Sequence, residues 1–159
     1  MIYLAGPMFN EVQIEHAEKL AKHCRNNGFE VFAPVEGLFL QDQGALTAQK
    51  IFDRNVEAMQ KCDSMFAQLD YPLPRGFSTV VRSHGNAVKI TLPDSGTAFE
   101  IGYANRMGIP VIGYYVEKPL KMNLMLTCSL RGIVDDIFKF MNNDQINWSL
   151  MKDWRGELI

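Results

Sequence analysis

Apolar residues along the chain form short continuous runs that alternate with stretches of helical spacing. The runs are typical of buried strands, and the spaced stretches are typical of amphipathic helices. This alternation predicts a single α/β domain over residues 1–159, a doubly wound, flavodoxin-like fold with a mostly parallel sheet and helices on both faces. Strands are predicted at residues 1–5, 29–33, 64–69 and 110–115, and helices at residues 12–27, 47–61 and 97–107.

One position on the second predicted helix does not fit its apolar face. Ile51, Asn55 and Met59 fall on one line at i, i+4 and i+8, which turns an amide side chain toward apolar neighbours. A polar group on a buried face costs free energy unless it finds a partner. Asn55 therefore needs an explanation other than packing.

The connection over residues 70–93 is longer than loops of this kind usually are, and it is rich in Pro, Gly, Ser and Arg. One interpretation is a lid over a binding site. The other is a surface hairpin that pairs residues 79–81 with residues 88–92. Such a hairpin can itself serve as a lid, so the two interpretations are compatible.

Composition and charge exclude several classes of protein. The chain carries 16 basic and 18 acidic residues, a net charge of −2, so it lacks the electrostatic footprint for DNA, RNA or an anionic membrane. No apolar run approaches the ~18 residues of a membrane span. The three cysteines lack the spacing of a disulfide framework or a zinc site. We therefore expect a cytoplasmic protein with a small, nearly neutral substrate and no nucleic-acid or membrane partner.

Motifs for common cofactors and nucleophiles are missing from the sequence. It contains no GxGxxG, no GxxxxGK followed by Ser or Thr, and no GxSxG. We therefore expect neither a cofactor nor a metal. His16 and His23 fall on the first predicted helix and His84 falls in the long connection, and solvated surface positions are expected for all three.

Two carboxylates lie near the start of the helix predicted at residues 97–107. Asp94 opens this segment, and Glu100 follows about one turn into the helix. One interpretation is structural, because Thr97 and Glu100 match a capping box and the helix dipole favours acids in a first turn. The other is chemical, since paired carboxylates at the carboxyl edge of a sheet suit catalysis. This segment alone leaves both open.

Four segments in order resemble the nucleoside 2-deoxyribosyltransferase family. They are IYLAGPMF at 2–9, DRNV at 53–56, PDSGTAFEIGYA at 93–104 and NLML at 123–126. The resemblance reaches from residue 2 to about residue 126, and the loops and the last thirty residues match poorly. It implies transfer of 2-deoxyribose between purine or pyrimidine bases through a covalent intermediate, with retention of anomeric configuration.

By position, the resemblance implies catalytic roles for three residues. Glu100 is implied as the nucleophile that forms the deoxyribosyl ester, Tyr3 as the residue that holds its carboxylate, and Asp94 as a substrate contact that helps in proton transfer. Asn55 would face the base. Many relatives carry an aspartate there that is thought to protonate the leaving base, so the proton donor in this chain stays open.

The resemblance also implies further substrate-binding residues. Phe9 would pack on the base, with an ordinary core position as the alternative, and Gly6 would let the base approach the backbone. Gly96 is also implied as a binding residue. Asn123 and Met125 would reach into the site of a neighbouring subunit, where the asparagine meets the sugar's 5'-hydroxyl. The implied partners are deoxynucleosides, free nucleobases and further copies of the chain in a homo-oligomer.

Two alternative functions share these motifs. The first is an N-glycosidase of 2'-deoxynucleosides or their 5'-monophosphates, whose members carry a Gly-Ser-rich, Arg-containing first loop. Here residues 5–9 offer neither a hydroxyl nor a guanidinium group. The second is a non-catalytic nucleoside-binding module, and the presence of both Asp94 and Glu100 argues against it. The bases that are exchanged stay open.

Overall fold

A five-stranded parallel sheet forms the centre of the computed structural model, which describes residues 1–38, 44, 46–70, 80–83, 86–89, 93–117, 121–154 and 157–158. The sheet order is β2-β1-β3-β6-β8. Counted along the chain, its strands therefore follow the flavodoxin-like order 2-1-3-4-5, which confirms the predicted fold. The strands are β1 (Ile2–Ala5), β2 (Val31–Phe32), β3 (Ser64–Gln68), β4 (Val80–Ser83), β5 (Asn86–Lys89), β6 (Val111–Tyr114), β7 (Lys121–Met122), β8 (Gly132–Val134), β9 (Met141–Asn142), β10 (Gln145–Ile146) and β11 (Glu157–Leu158).

Helices cover both faces of the sheet, as predicted. Because side chains alternate along a strand, Ile2 and Leu4 of β1 enter one core while Tyr3 and Ala5 enter the other. Helices α1 and α5 pack on the first core, and α2 and α3 pack on the second. No helix among the described residues is long and apolar enough to cross a membrane. The helices are α1 (Glu11–Asn26), α2 (Ala48–Lys61), α3 (Ser95–Arg106), α4 (Leu124–Cys128) and α5 (Ile137–Phe140).

Each of the three long helices begins directly after a polar cap. The side chain of Asn10 accepts from the backbone N–H of Gln13 at 3.0 Å, and Thr47 caps α2 in the same way. Asp94 caps α3, so this helix starts at Ser95 and the start predicted at residue 97 is wrong by two residues. Asp94 has an extended backbone and lies three residues before Thr97, so it sets the start of α3.

The long connection between β3 and α3 contains a hairpin. Strand β4 pairs with β5 in antiparallel register, with Ser83 opposite Asn86. This confirms the hairpin interpretation, although the paired residues begin and end differently from the prediction. Three parts of this connection lie outside the described residues: 71–79, 84–85, which includes His84, and 90–92. The role of the connection as a lid stays a prediction.

The expectation of solvated histidines is wrong for His16 and His23. Both are half-buried on α1 and contact Phe138, with ring centroids 5.8 Å apart for His16 and 5.2 Å apart for His23. His16 also lies 5.8 Å from the ring of Tyr114, and burial lowers its pKa. The chain after β8 covers this part of α1, and helical periodicity alone cannot reveal such a distant partner.

The last part of the chain pairs with two earlier strands, β8 and β7. Residues of β9 and β10 form a tight hairpin with Asn142 opposite Gln145. Lys152 then makes an antiparallel bridge with Ile133 of β8. Strand β11 pairs in parallel with β7, which directly precedes Asn123. The tail is thus tied by backbone hydrogen bonds to the segment that carries Asn123 and Met125.

Candidate active site

The side chains of Tyr3 and Glu100 meet between the sheet and α3. Tyr3 is fully buried in strand β1, between β2 and β3, and its hydroxyl donates a short hydrogen bond to Oε1 of Glu100. Glu100 is half-buried in the second turn of α3. Its Oε2 accepts no hydrogen bond from the part of the chain that the structure describes. One carboxyl oxygen is therefore held while the other is open to a ligand.

Burial sets the protonation of this pair. Desolvation, opposed by the hydrogen bond from Tyr3 and aided by the nearby charge of Asp94, raises the pKa of Glu100 from its ordinary value of 4.5 to about 8. Desolvation and the charge of Glu100 raise the pKa of the Tyr3 hydroxyl well above its usual range. Tyr3 therefore stays a hydrogen-bond donor, and Glu100 changes charge close to neutral pH.

Asp94 forms the N-terminal cap of α3. Its Oδ1 accepts from the backbone N–H groups of Gly96 at 2.8 Å and Thr97 at 3.2 Å, and its Oδ2 accepts a short hydrogen bond from the Thr97 hydroxyl. The capping-box interpretation of Thr97 and Glu100 is therefore wrong. Thr97 lies inside the first turn, and Glu100 lies beyond any capping position. The structural role belongs to Asp94, and Glu100 has none at the helix start.

Gly96 leaves room beside the Asp94 carboxylate at the start of α3. A Cβ atom at Gly96 would lie 3.0 Å from Oδ1 of Asp94, which is closer than a carbon comfortably approaches an oxygen. The glycine thus lets its own N–H reach the carboxylate without crowding it. The predicted binding residues Gly96 and Asp94 are brought together, but their contact in the structure is with each other.

Helix α2 carries Asn55, the amide that helical periodicity places on an apolar face. Asn55 is half-buried, and its Oδ1 is shielded from solvent without a hydrogen-bond partner among the described residues. Such buried acceptors are rare in folded proteins and call for an explanation. The prediction that Asn55 turns an amide toward an apolar face is confirmed.

Arg54 and Phe32 also belong to this site, and the sequence analysis did not assign them a role. The ring of Phe32 stacks on Tyr3 with centroids 5.4 Å apart, and the guanidinium carbon of Arg54 lies 4.9 Å from the centroid of Phe32. Tyr3 and Phe32 are register partners in neighbouring strands. This pairing is non-local, so no signal in the sequence identifies it.

The loop after β1 carries the predicted residues Gly6 and Phe9. Phe9 is 68% exposed, so the alternative that it is an ordinary core residue is wrong. Its backbone N–H donates to the buried side chain of Gln13 at 2.8 Å, which ties the loop to α1. A Cβ atom at Gly6 would meet Gln68 at 3.4 Å, an ordinary contact. The fold itself therefore does not require glycine at this position.

Asn123 and Met125 lie at the start of the short helix α4. The side chain of Asn123 caps this helix, accepting from the backbone N–H of Met125 at 2.9 Å and of Leu126 at 3.4 Å. Met125 is 75% exposed. Neither has a described contact with Tyr3 or Glu100 of its own chain. No three His, Cys, Asp or Glu side chains of the described residues come together as metal ligands.

Comparison with known proteins identifies the family. The family model described as nucleoside 2-deoxyribosyltransferase matches residues 2–143. The chain therefore belongs to the nucleoside 2-deoxyribosyltransferase family, a family of enzymes that act on deoxynucleosides and nucleobases. The resemblance noted in the sequence is confirmed, and the match extends beyond the last of the four segments.

Individual relatives are similar to this chain at low identity. An uncharacterized protein of Schizosaccharomyces pombe is 31% identical over 120 residues, 73% of this chain, which spans only 50% of that relative. A Thermofilum pendens protein provisionally named 2'-deoxynucleoside 5'-phosphate N-hydrolase is 22% identical over 153 residues, 95% of this chain and 90% of that protein. The structure of a 2-deoxyribosyltransferase from Bacillus psychrosaccharolyticus superimposes with a TM-score of 0.66 at 25% identity, covering 96% of this chain and 98% of that one.

Proposed function

We propose that this protein transfers 2-deoxyribose from one nucleobase to another, with Glu100 as the nucleophile. The observation that carries the proposal is the half-held carboxyl group. Tyr3 binds one oxygen of Glu100 from a buried strand, and the second oxygen is left without a described partner. Membership of the family and the likeness to the Bacillus 2-deoxyribosyltransferase support the same assignment.

The chemistry requires an ionised carboxylate aimed at the sugar. As the bond between the sugar and the base breaks, positive charge builds up at the anomeric carbon, and Glu100 stabilises this charge and then bonds to the carbon. The second base attacks the same ester, so two inversions retain the configuration. The Tyr3 hydrogen bond favours the charged form of Glu100 and fixes its direction.

The remaining site residues are proposed to bind the substrate around this ester. Asp94 contacts the nucleoside and helps in proton transfer; it lies six residues before Glu100 and close enough to affect its pKa. Asn55 faces the base with its unpartnered Oδ1. The exposed ring of Phe9 packs on the base, and Gly6 and Gly96 leave room for substrate beside the backbone.

Asn123 and Met125 are proposed to complete the site of a neighbouring copy of the chain. Two observations support this: Met125 is 75% exposed, and neither residue has a described contact with the Tyr3–Glu100 pair of its own chain. If this is correct, the active unit is a homo-oligomer and activity falls on dilution. A monomer in sedimentation that keeps full activity would refute the role of Asn123.

Base exchange combined with mass spectrometry tests the proposal directly. Incubating the protein with deoxyinosine and adenine should produce deoxyadenosine and hypoxanthine. Incubation with deoxyinosine alone, followed by rapid acid quench and peptide mapping, should place one deoxyribosyl group on Glu100. An adduct on another residue would contradict the assignment of the nucleophile.

A second candidate is hydrolysis of 2'-deoxynucleoside 5'-monophosphates. It is favoured by the likeness to the Thermofilum pendens protein, which covers nearly the whole chain. Against it, residues 5–9 carry neither a hydroxyl nor a guanidinium group to bind phosphate. The exchange assay, repeated with deoxyinosine 5'-monophosphate, separates the two, because free deoxyribose 5-phosphate without a new nucleoside or nucleotide would identify a hydrolase.

A further inference from the structure

The ring of Phe32 contacts two other planar groups at the same time. It stacks on the ring of Tyr3, with centroids 5.4 Å apart and planes 17° from parallel. The guanidinium carbon of Arg54 lies 4.9 Å from its centroid. Both distances fall within the ranges of favourable aromatic and cation–π contacts. Because Tyr3 donates to Oε1 of Glu100, a chain of contacts joins a cation of α2 to this carboxyl group.

Strand pairing alone does not set the direction of the Tyr3 hydroxyl. Tyr3 and Phe32 are register partners in β1 and β2, which places their Cα atoms opposite each other. The hydroxyl lies at the far end of the Tyr3 side chain, and its direction depends on the side-chain torsions. A flat partner against the ring limits these torsions, because a ring that tilts loses the stacked contact. Phe32 supplies this flat partner.

The guanidinium group of Arg54 is held by packing against its neighbours. Arg54 is half-buried, and its Nε is shielded from solvent without a hydrogen-bond partner among the described residues. A Cβ atom at Gly37 would lie 2.8 Å from Nη1 of Arg54 and 3.2 Å from its guanidinium carbon. The backbone N–H of Gly37 donates to the carbonyl oxygen of Pro34 at 2.8 Å, which fixes the backbone there. The cation therefore packs on Phe32 and lies so close to Gly37 that a side chain there would displace it.

We propose that Phe32 and Arg54 are positioning residues that hold the Tyr3 hydroxyl in the direction from which it binds Glu100. Phe32 acts by stacking on the Tyr3 ring. Arg54 acts by packing on Phe32 and through its charge. The inference rests on the proposed function, because Glu100 is the carboxylate assigned there as the nucleophile. This role requires no contact between either positioning residue and the substrate.

The charge of Arg54 supports the same hydrogen bond as the stack. Desolvation and the acidic groups of Glu100 and Cys62 raise the pKa of the Tyr3 hydroxyl, and Arg54 lowers it. A more acidic hydroxyl donates a stronger hydrogen bond, and such a bond to the ionised carboxylate favours its charged form. At Glu100, burial and then the charge of Asp94 raise the pKa, and the Tyr3 bond opposes both. Weakening the stack should therefore raise the pKa of Glu100.

Titration of the Glu100 carboxyl group tests the inference without turnover. The titration is followed by carbon-13 NMR, and Glu100→Gln assigns the signal. Phe32→Leu and Arg54→Met should each shift the midpoint upward by about 0.5–1 pH unit. Tyr3→Phe removes the hydrogen bond itself and should give the largest shift. Phe32→Tyr keeps a ring against Tyr3 and should restore the native midpoint.

Gly37→Ala tests the role of Arg54 without changing either ring. The new Cβ meets the end of a flexible side chain, so the guanidinium group should move while the fold is kept. The Glu100 midpoint should rise as it does in Arg54→Met, and combining the two changes should raise it no further. Arg54→Met should also add nothing in a Tyr3→Phe background, because the cation acts through the Tyr3 hydroxyl.

Base exchange gives a second readout that a general structural defect would not produce. A higher pKa leaves less of the Glu100 carboxyl ionised at low pH. The exchange rate of Arg54→Met should therefore fall by up to about tenfold below the pKa and return to the native rate above it, with KM unchanged. A loss of the same size at every pH would overturn the inference.

Two exposed positions provide matched controls for the titration. Phe52→Leu on α2 and Arg106→Met on α3 should leave the Glu100 midpoint unchanged. If Phe32→Leu and Arg54→Met shift the midpoint no more than these controls do, the inference is wrong even if exchange occurs. The expected shifts would uphold it even if no exchange is found, so the two proposals fail separately. Should Phe32→Leu fail to fold, Gly37→Ala decides by the same criterion.

Discussion

Asp70 is a buried acid and Glu100 a half-buried acid of the same domain, and the two carboxyl groups have different hydrogen-bond partners. Asp70 follows β3, is 1% exposed, and accepts from the backbone N–H groups of Val116 at 3.0 Å and Glu117 at 2.7 Å, one to each oxygen. Glu100 receives a hydrogen bond on one oxygen, from Tyr3. Burial raises the pKa of both carboxyl groups, and the backbone donors oppose that rise at Asp70.

The difference separates a structural carboxylate from the one proposed as the nucleophile. Both oxygens of Asp70 accept hydrogen bonds from the backbone after β6, so this carboxylate ties the end of β3 to the chain that follows β6. Glu100 is half-buried, and one of its oxygens has no described hydrogen-bond partner. Burial and a raised pKa therefore do not by themselves identify a catalytic acid. Incomplete hydrogen bonding is the feature that distinguishes Glu100 from Asp70.

The largest expected effect is on activity at Glu100. Glu100→Ala should lower the rate of base exchange by about 10⁴-fold or more, because it removes the carboxylate that is proposed to form the ester. Asp70→Asn should keep exchange within about tenfold of the native rate per folded molecule. Glu18→Ala, an exposed glutamate on α1, is the matched control for the alanine change. Exchange above a few per cent of the native rate in Glu100→Ala would mean that the nucleophile lies elsewhere.

The next effect concerns stability at Asp70. Asp70→Asn replaces one accepting oxygen by an amide that faces a backbone donor, and it should lower the free energy of unfolding by about 2–3 kcal/mol. Urea denaturation measures this as a lower midpoint with an unchanged slope. Asp153→Asn, at an exposed position, should stay within about 0.5 kcal/mol of the native protein. If the two variants are equally stable, the Asp70 bonds do not hold the fold.

The smallest effect is the pH dependence of stability at Glu100. Since its folded pKa of about 8 lies above the ordinary value of 4.5, the unfolded chain binds fewer protons between these values, and stability falls as pH rises through this range. Glu100→Gln removes that titration. The variant should match the native protein near pH 4.5 and exceed it by on the order of 2 kcal/mol at pH 8.5. A difference that does not change with pH would show that burial does not perturb Glu100.

The sequence predicted the fold well because the governing signals are local. Apolar runs and helical spacing located four of the five strands of the sheet and the three long helices that pack on it. Helix starts were less certain because several polar residues compete to cap α3, and Asp94 outcompetes Thr97. The amide of Asn55 was visible as a break in periodicity, which also needs only neighbouring positions.

Features that depend on distant partners were harder to predict. The Tyr3–Glu100 hydrogen bond joins residues 97 positions apart, and it was expected only from the family resemblance. The stack of Arg54, Phe32 and Tyr3 depends on the register between β1 and β2 and was missed. The error at His16 has the same origin, since Phe138 arrives from the far end of the chain.

The Asp94 cap also has a consequence for protein engineering. An α-helix turns about 100° per residue, so one residue inserted between Asp94 and Glu100 would rotate the carboxyl group away from Tyr3. An insertion or deletion before Asp94 does not change the direction of the Glu100 side chain relative to the helix start, because the helix still begins after the Asp94 cap. Asp94 is therefore the boundary between a connection open to grafting or library design and six positions whose spacing must be kept.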